Sequence, residues 1–225
     1  MNLQEHYETL YNESIAKIKS GNIQTDDLID SAADNRSGIT LRIRPDTNLT
    51  KRILDFPEQL RQVDPAQYYY RESDVHVTVM SIISCYTGFD LQRIAIPDYI
   101  RVIKQSIAGK TIAIRFTGIT ASPSCIILRG FPEDDTLNII RNNLRTNFKN
   151  SDLEQSIDKR YAIQTAHTTV VRFRKPIARL NEYLKILEIY RDYDFGTLYT
   201  NTLELVHNDW YHRTERTNQL YTFKL

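Results

Sequence analysis

The chain has only two cysteines in 225 residues, Cys85 and Cys125, with neither metal-ligand spacing nor the spacing of a redox pair. Both are read as reduced thiols near strand ends. No apolar run is long enough to span a membrane. The stretch Met1-Asn2-Leu3-Gln4-Glu5-His6-Tyr7-Glu8 lacks a basic region followed by an apolar one, so no signal peptide is expected and the cytoplasm is the default expectation. An excess of charge of one sign is missing too. Lys and Arg total 29 against 28 Asp and Glu, a formal charge of +1, which argues against a strongly basic, non-specific nucleic-acid coat. It leaves room for a local basic groove around a small or single-stranded ligand. What remains is ordinary for a soluble globular protein: 41% hydrophobic and 25% charged residues, on a chain long enough for one large domain or two lobes.

A short pattern appears twice against this background. Asp74-Val75-His76-Val77-Thr78-Val79-Met80-Ser81-Ile82-Ile83 and Thr165-Ala166-His167-Thr168-Thr169-Val170-Val171-Arg172-Phe173 are both apolar, β-branched runs that read as strands. Residues i and i+2 of a strand share a face, so His76 lies beside Thr78 and His167 beside Thr169. Each strand offers one imidazole and one hydroxyl, a set suited to moving protons on either side of a phosphorus centre. A lone histidine in a strand is ordinarily structural, with a satisfied hydrogen bond. His212-Arg213-Thr214 repeats the spacing in a polar stretch read as a loop, and His6, His207 and His212 are taken as structural or exposed.

The setting distinguishes the two main copies. Residues 3–19 have the spacing of an amphipathic helix that packs on the main body, with Gly21 as its stop. Residues 22–37 form a polar, acidic connector. Ile39 to Arg44 is a strand, and 48–62 a helix with Asn48 as N-cap and a kink or break at Pro57. The first histidine strand follows, then a helix from Pro97 and the strand Thr111–Ile119. The order recurs with the strand Cys125–Gly130, a helix over 133–148, a polar connection over 149–162, the second histidine strand, a helix from Pro176 to about Asp192 and a strand over Leu198–Val206. Gln219 to Leu225 adds a last strand. This internal repeat predicts two lobes, roughly 39–119 and 125–225, related by a pseudo-two-fold axis. The histidine strands lie adjacent at the centre, helices cover the outer faces, and residues 1–38 form an N-terminal extension.

With these residues in view, the sequence resembles the two-histidine (2H) phosphoesterase superfamily, the LigT-like or 2′-5′ RNA ligase-like group. That group carries two His-x-Thr/Ser-apolar motifs on paired strands, matched here by His76-Val77-Thr78-Val79 and His167-Thr168-Thr169-Val170. The resemblance covers about 39–225. It implies a bilobal, pseudo-symmetric α+β fold of two antiparallel-rich sheets around a central cleft. It implies a metal-independent, cofactor-free phosphoesterase acting on cyclic or 2′-5′ phosphodiesters of RNA ends, oligonucleotides or nucleotides, with 2′-5′ ligation as the reverse reaction. His76 and His167 would be general acid and base, and Thr78 and Thr169 would hold the phosphate. Arg172 matches a basic residue common after the second motif. Strict alternation turns it to the face opposite His167 unless a bulge intervenes.

Around this set, Arg115 and Arg129 are candidates to neutralise phosphate. Tyr70, in the run Tyr68-Tyr69-Tyr70, is a candidate to stack on a base, and Trp210 and Tyr211 to form a wall of a nucleotide pocket. A monomer without a membrane partner is expected. The competing reading is a non-catalytic RNA- or nucleotide-binding module on the same fold. A histidine metal site is disfavoured because no Asp, Glu or third His shares the strand faces.

Overall fold

The computed structural model describes residues 2–225. The elements run in the order α1 (Leu3–Lys19), β1 (Ser37–Ile43), α2 (Thr47–Val63), β2 (Tyr68–Tyr69), β3 (Val77–Tyr86), α3 (Ile96–Ser106), β4 (Ile112–Ser122), β5 (Cys125–Pro132), α4 (Thr136–Lys149), β6 (Thr168–Arg172), α5 (Leu180–Ile189), β7 (Asp194–Thr200), β8 (Thr202–Asp209) and β9 (Asn218–Lys224). Every strand pairing among them is antiparallel, in a four-stranded sheet of order β3-β1-β8-β9 and a five-stranded sheet of order β2-β6-β5-β4-β7. No helix among the described residues is long and apolar enough to cross a membrane.

The two-lobed α+β fold is present, but its lobes are not successive pieces of chain. β4 pairs with β5 and β7, while β8 and β9 join β1 and β3. The first sheet therefore takes β8 and β9 from the second half of the sequence and the second takes β2 and β4 from the first, and the boundary expected between 119 and 125 falls inside one hairpin. The sheets still correspond: β3-β1-β8-β9 matches β6-β5-β4-β7, with a histidine strand beside the first strand of each half. The single strand expected over Leu198–Val206 is two, broken at Asn201, and its parts belong to different sheets. Sequence pattern reports local alternation; it carries no signal for which distant strand completes a ladder.

Helix α2 runs unbroken through Pro57, and its N-cap is Asp46, whose Oδ1 accepts the Leu49 N–H at 2.9 Å, rather than Asn48. Leu49, Ile53, Phe56 and Leu60 are all buried along one stripe. Helix α1 packs on the main body, as its spacing predicts. Tyr7 and Ile18 are fully buried, and the Tyr7 carbonyl accepts the Thr120 hydroxyl at 3.2 Å. Thr120 is in register with Ile127, and Ile127 with Thr169, so α1 covers the same sheet face as the second motif rather than an outer face.

Gly130 of β5 shows how tightly the second motif is seated. A Cβ there would meet the Ala166 carbonyl oxygen at 1.8 Å and its carbon at 2.8 Å, one residue before His167. Backbone cannot yield as a flexible side chain can. Gly130→Ala is expected to destabilise the fold by at least about 1–3 kcal/mol, read from the midpoint of urea unfolding.

Candidate active site

Both histidines sit one residue ahead of the paired part of their strands, His76 before β3 and His167 before β6. They line one cleft of about 150 Å³ between the sheets, together with Thr78 and Thr169. Asp74 organises the first motif. Its carbonyl accepts the His76 Nδ1–H at 2.7 Å, and a carbonyl can only accept, so neutral His76 carries its proton on Nδ1 and leaves Nε2 as the proton acceptor. The buried Asp74 carboxylate accepts Thr214 N at 3.0 Å and Thr214 Oγ1 at 2.8 Å, which ties the loop after β8 to the same point. At the second motif, His167 Nδ1 and Thr165 Oγ1 share a hydrogen bond of 2.7 Å.

Arg172 also lines the cleft, and the reason is a bulge. Val171 pairs with Ile126 but Thr169 pairs with Ile127, so Val170 is an extra residue and the alternation resets. Arg172 Nε donates to the Tyr70 hydroxyl at 2.9 Å, and among the described residues no carboxylate pairs with its guanidinium. Tyr70 is buried against it and lines the cleft. Trp210 forms part of the wall, with the Arg160 guanidinium 4.5 Å from its ring centroid.

The cleft does not gather every candidate. Arg115 is 56% exposed and pairs with Asp194 at 2.8 Å, two strands away from β6 on β4. Arg129 is 2% exposed and serves as a clamp: it pairs with Glu8 of α1 and Asp192, and donates to the Thr117 and Arg191 carbonyls. Tyr211 is fully buried behind the wall, its hydroxyl accepting from Arg36 at 3.0 Å.

Several contributors escaped the sequence reading. Ser81 and Ser84 of β3 line the cleft because register shifts in the β1–β3 ladder carry the cleft face from 78 to 81 to 84. His212 is 8% exposed, and its ring stacks on His76 with centroids 3.8 Å apart. Asn208 Nδ2 donates to its Nε2 at 3.1 Å, so this imidazole is also neutral. The third His-x-Thr spacing was its one visible signal. It reaches the site from a loop whose turn places His212 at φ +59°.

The fold is shared with solved structures. Escherichia coli LigT complexed with 3′-AMP aligns over 85% of this chain and 99% of its own, at 13% identity and a TM-score of 0.59. TT0787 of Thermus thermophilus aligns over 84% and 97%, at 14% identity and 0.60. The chain has the LigT fold. A conserved protein of unknown function from Agrobacterium tumefaciens, ATU0111, shares it over 92% of this chain and 97% of its own, at 15% identity and 0.54. By sequence, the chain matches no family model and no curated protein.

On this LigT fold, burial and nearby cations both act against charge on the cleft's imidazoles. Burial, with Arg42, His167 and Arg172 nearby, pushes His76 down to about 3, against the opposing pull of the Asp74 carbonyl. Burial, then Arg141, Arg172 and His6, pushes His167 down to about 4. Burial and the neighbouring His76 hold His212 well below its ordinary value. Arg42 is neutralised by Glu204 at 3.0 Å, whereas Arg172 and Arg160, which line the cleft, have no carboxylate partner among the described residues. Among the described residues, no three His, Cys, Asp or Glu side chains form a metal-ligand set.

These depressed values set a pH dependence of stability. Below about pH 6.5 the unfolded histidines take up protons while His167 in the folded chain stays neutral until about pH 4. The unfolded state then binds more protons, so stability falls as pH drops through this window and levels off below it. His167→Gln removes one such group. Between pH 6.5 and 4 its urea midpoint is expected to fall less than that of the unsubstituted chain.

Proposed function

We propose that the chain is a metal-independent phosphoesterase of the two-histidine type, acting on cyclic or 2′-5′ phosphodiesters of RNA ends, oligonucleotides or nucleotides. The observation that carries this reading is the convergence of His76, Thr78, His167, Thr169 and Arg172 on one cleft. One imidazole takes a proton from the attacking water. The other gives a proton to the departing sugar oxygen, so the pair ends one turnover with the proton exchanged between them and resets through solvent. Thr78 and Thr169 donate to the non-bridging oxygens, where charge grows in the transition state, and Arg172 supplies the cation facing them. The Asp74 carbonyl stabilises His76 as the imidazolium in either role.

A bound phosphodiester anion raises the imidazole values again, because an opposite charge within a few ångströms favours the protonated form. Substrate binding thereby charges the acid that burial otherwise keeps neutral. Nucleotide ligands on the same fold support this substrate class: E. coli LigT is complexed with 3′-AMP, with ATP and with NADP+. Joining RNA ends by a 2′-5′ bond is the same chemistry reversed, and hydrolysis is favoured in water.

The test is turnover of 2′,3′-cyclic nucleotides and 2′-5′-linked dinucleotides in excess EDTA. Chelator-insensitive hydrolysis of one class is expected, and the position of the phosphate on the product assigns acid and base. Binding of these ligands without turnover would replace this reading with that of a nucleotide-binding module. Activity abolished by EDTA and restored by a divalent metal would replace it with a metal-dependent one.

A further inference from the structure

A buried cation behind the site has no step to perform in the reaction proposed above and, among the described residues, no acid to pair with. Arg141 lies on α4 within the stripe Leu137, Ile140, Leu144 and Phe148, where the helical pattern calls for an apolar side chain. It is 1% exposed. The nearby Asp158 is engaged by Arg145 instead. Arg141 donates to backbone from two of its nitrogens: Nε to the Val79 carbonyl at 3.0 Å, and Nη2 to the carbonyls of Thr78 at 3.0 Å and Thr165 at 2.8 Å, while Nη1 has no partner among the described residues.

Those carbonyls lie on open sheet edges. β3 is the outermost strand of its sheet, and Thr165 precedes the paired part of β6, beyond the reach of β2, which pairs only with Val171 and Arg172. The edges carrying the two histidine motifs face each other with no ladder between them among the described residues. We infer that Arg141 is a positioning residue whose planar fork fixes the separation of the two motifs, standing in for the ladder the sheets do not form. Thr78 is one of the proposed phosphate donors, and Thr165 is the hydrogen-bond partner of His167. Moving the fork moves both halves of the site. An apolar side chain would fill the stripe without burying an unpaired charge, so geometry rather than stability accounts for the guanidinium.

The charge acts on His167 as well. The groups around that ring are His6 and Tyr7 from α1, Arg141 from α4, Arg172 from β6, His76 from β3 and Asp158 from the connector. Among the charged groups, Arg141 opposes protonation of His167 most, whereas those that oppose protonation of His76 most are Arg42, His167 and Arg172.

Two substitutions separate fork from charge. Arg141→Lys keeps the cation and loses the fork. Arg141→Gln keeps two N–H donors and loses the cation. The readouts are NMR titration of the imidazoles and, resting on the proposed acid–base pair, steady-state kinetics on a cleaved substrate. Arg141→Gln is expected to raise the His167 value by about one unit and leave His76 in place. Arg141→Lys is expected to leave His167 where it was and lower kcat by about 10- to 100-fold with little change in KM, the signature of misplaced reacting groups. Arg141→Met, which packs in the stripe, should lose kcat in the same way. Folded Lys or Met variants with undiminished kcat would overturn the positioning role, and a His167 that titrates identically in Arg141→Gln would overturn the charge effect. The titration needs no substrate, so a failure of the phosphoesterase reading is distinguishable from a failure of this one.

Discussion

Replacing His76 or His167 with alanine is expected to lower turnover by about 100- to 10,000-fold, the range for removal of a general acid or base. Each ring is tied by Nδ1 to its own motif, His76 to the Asp74 carbonyl and His167 to the Thr165 hydroxyl, and both line the cleft. Neither substitution empties a packed apolar core, because both side chains are only half-buried at the cleft wall. The variants should therefore remain folded, which circular dichroism and urea unfolding check before kinetics. If the two rings serve one reaction, their losses are not additive, and the double variant is about as slow as the slower single one. Steady-state kcat for the three variants on one substrate measures this. A folded single variant with near-normal turnover would remove that histidine from the mechanism.

The second large effect belongs to Arg172. Its guanidinium reaches the cleft because of the bulge at Val170, has no carboxylate partner among the described residues, and is held in place by the Tyr70 hydroxyl. Under the proposed function, a phosphodiester anion supplies the counter-charge for this guanidinium. Arg172→Met keeps the bulk of the side chain and removes the charge. It is expected to lower kcat/KM by about 100- to 1,000-fold, comparable to the loss of one preorganised oxyanion donor. Affinity for inorganic phosphate, measured by calorimetry, should fall in parallel. Tyr70→Phe leaves the charge and removes only its anchor, so its loss should be smaller. Phosphate affinity unchanged in Arg172→Met would show that the guanidinium faces something other than the phosphate.

The parts of the site legible in the sequence are those that alternation reports. His76 with Thr78, and His167 with Thr169, are i and i+2 on strands, and the structure keeps each pair on one face of the cleft. Each departure from alternation hid something. The bulge at Val170 turns Arg172 inward, and the shifts along β3 do the same for Ser81 and Ser84. His212 comes from a turn with a left-handed residue, which no strand or helix period describes. Arg141 was masked by the helix that carries it, since an amphipathic stripe is read from its apolar members and a single charge among them passes unnoticed.

The fold shows the same division. The repeat of strand, helix and histidine strand was visible because it is local, and it produces the matching strand orders of the two sheets. The exchange of β4 and β8 between halves was not visible, because strand partnership is a long-range pairing that neither strand's own sequence encodes. Arg115 was misplaced for a related reason. Its strand was recognised, but its distance from the cleft depended on where that strand entered the sheet.

The central claim, that the two imidazoles act together on a phosphodiester, is tested most directly by one assay. The wild type and the His76→Ala/His167→Ala double variant are incubated in excess EDTA with 2′,3′-cyclic nucleotides and 2′-5′-linked dinucleotides, and the products are resolved by chromatography. The account predicts hydrolysis of at least one class by the wild type to a single phosphate regioisomer, and none above background by a folded double variant. Equal turnover by the two proteins would contradict it.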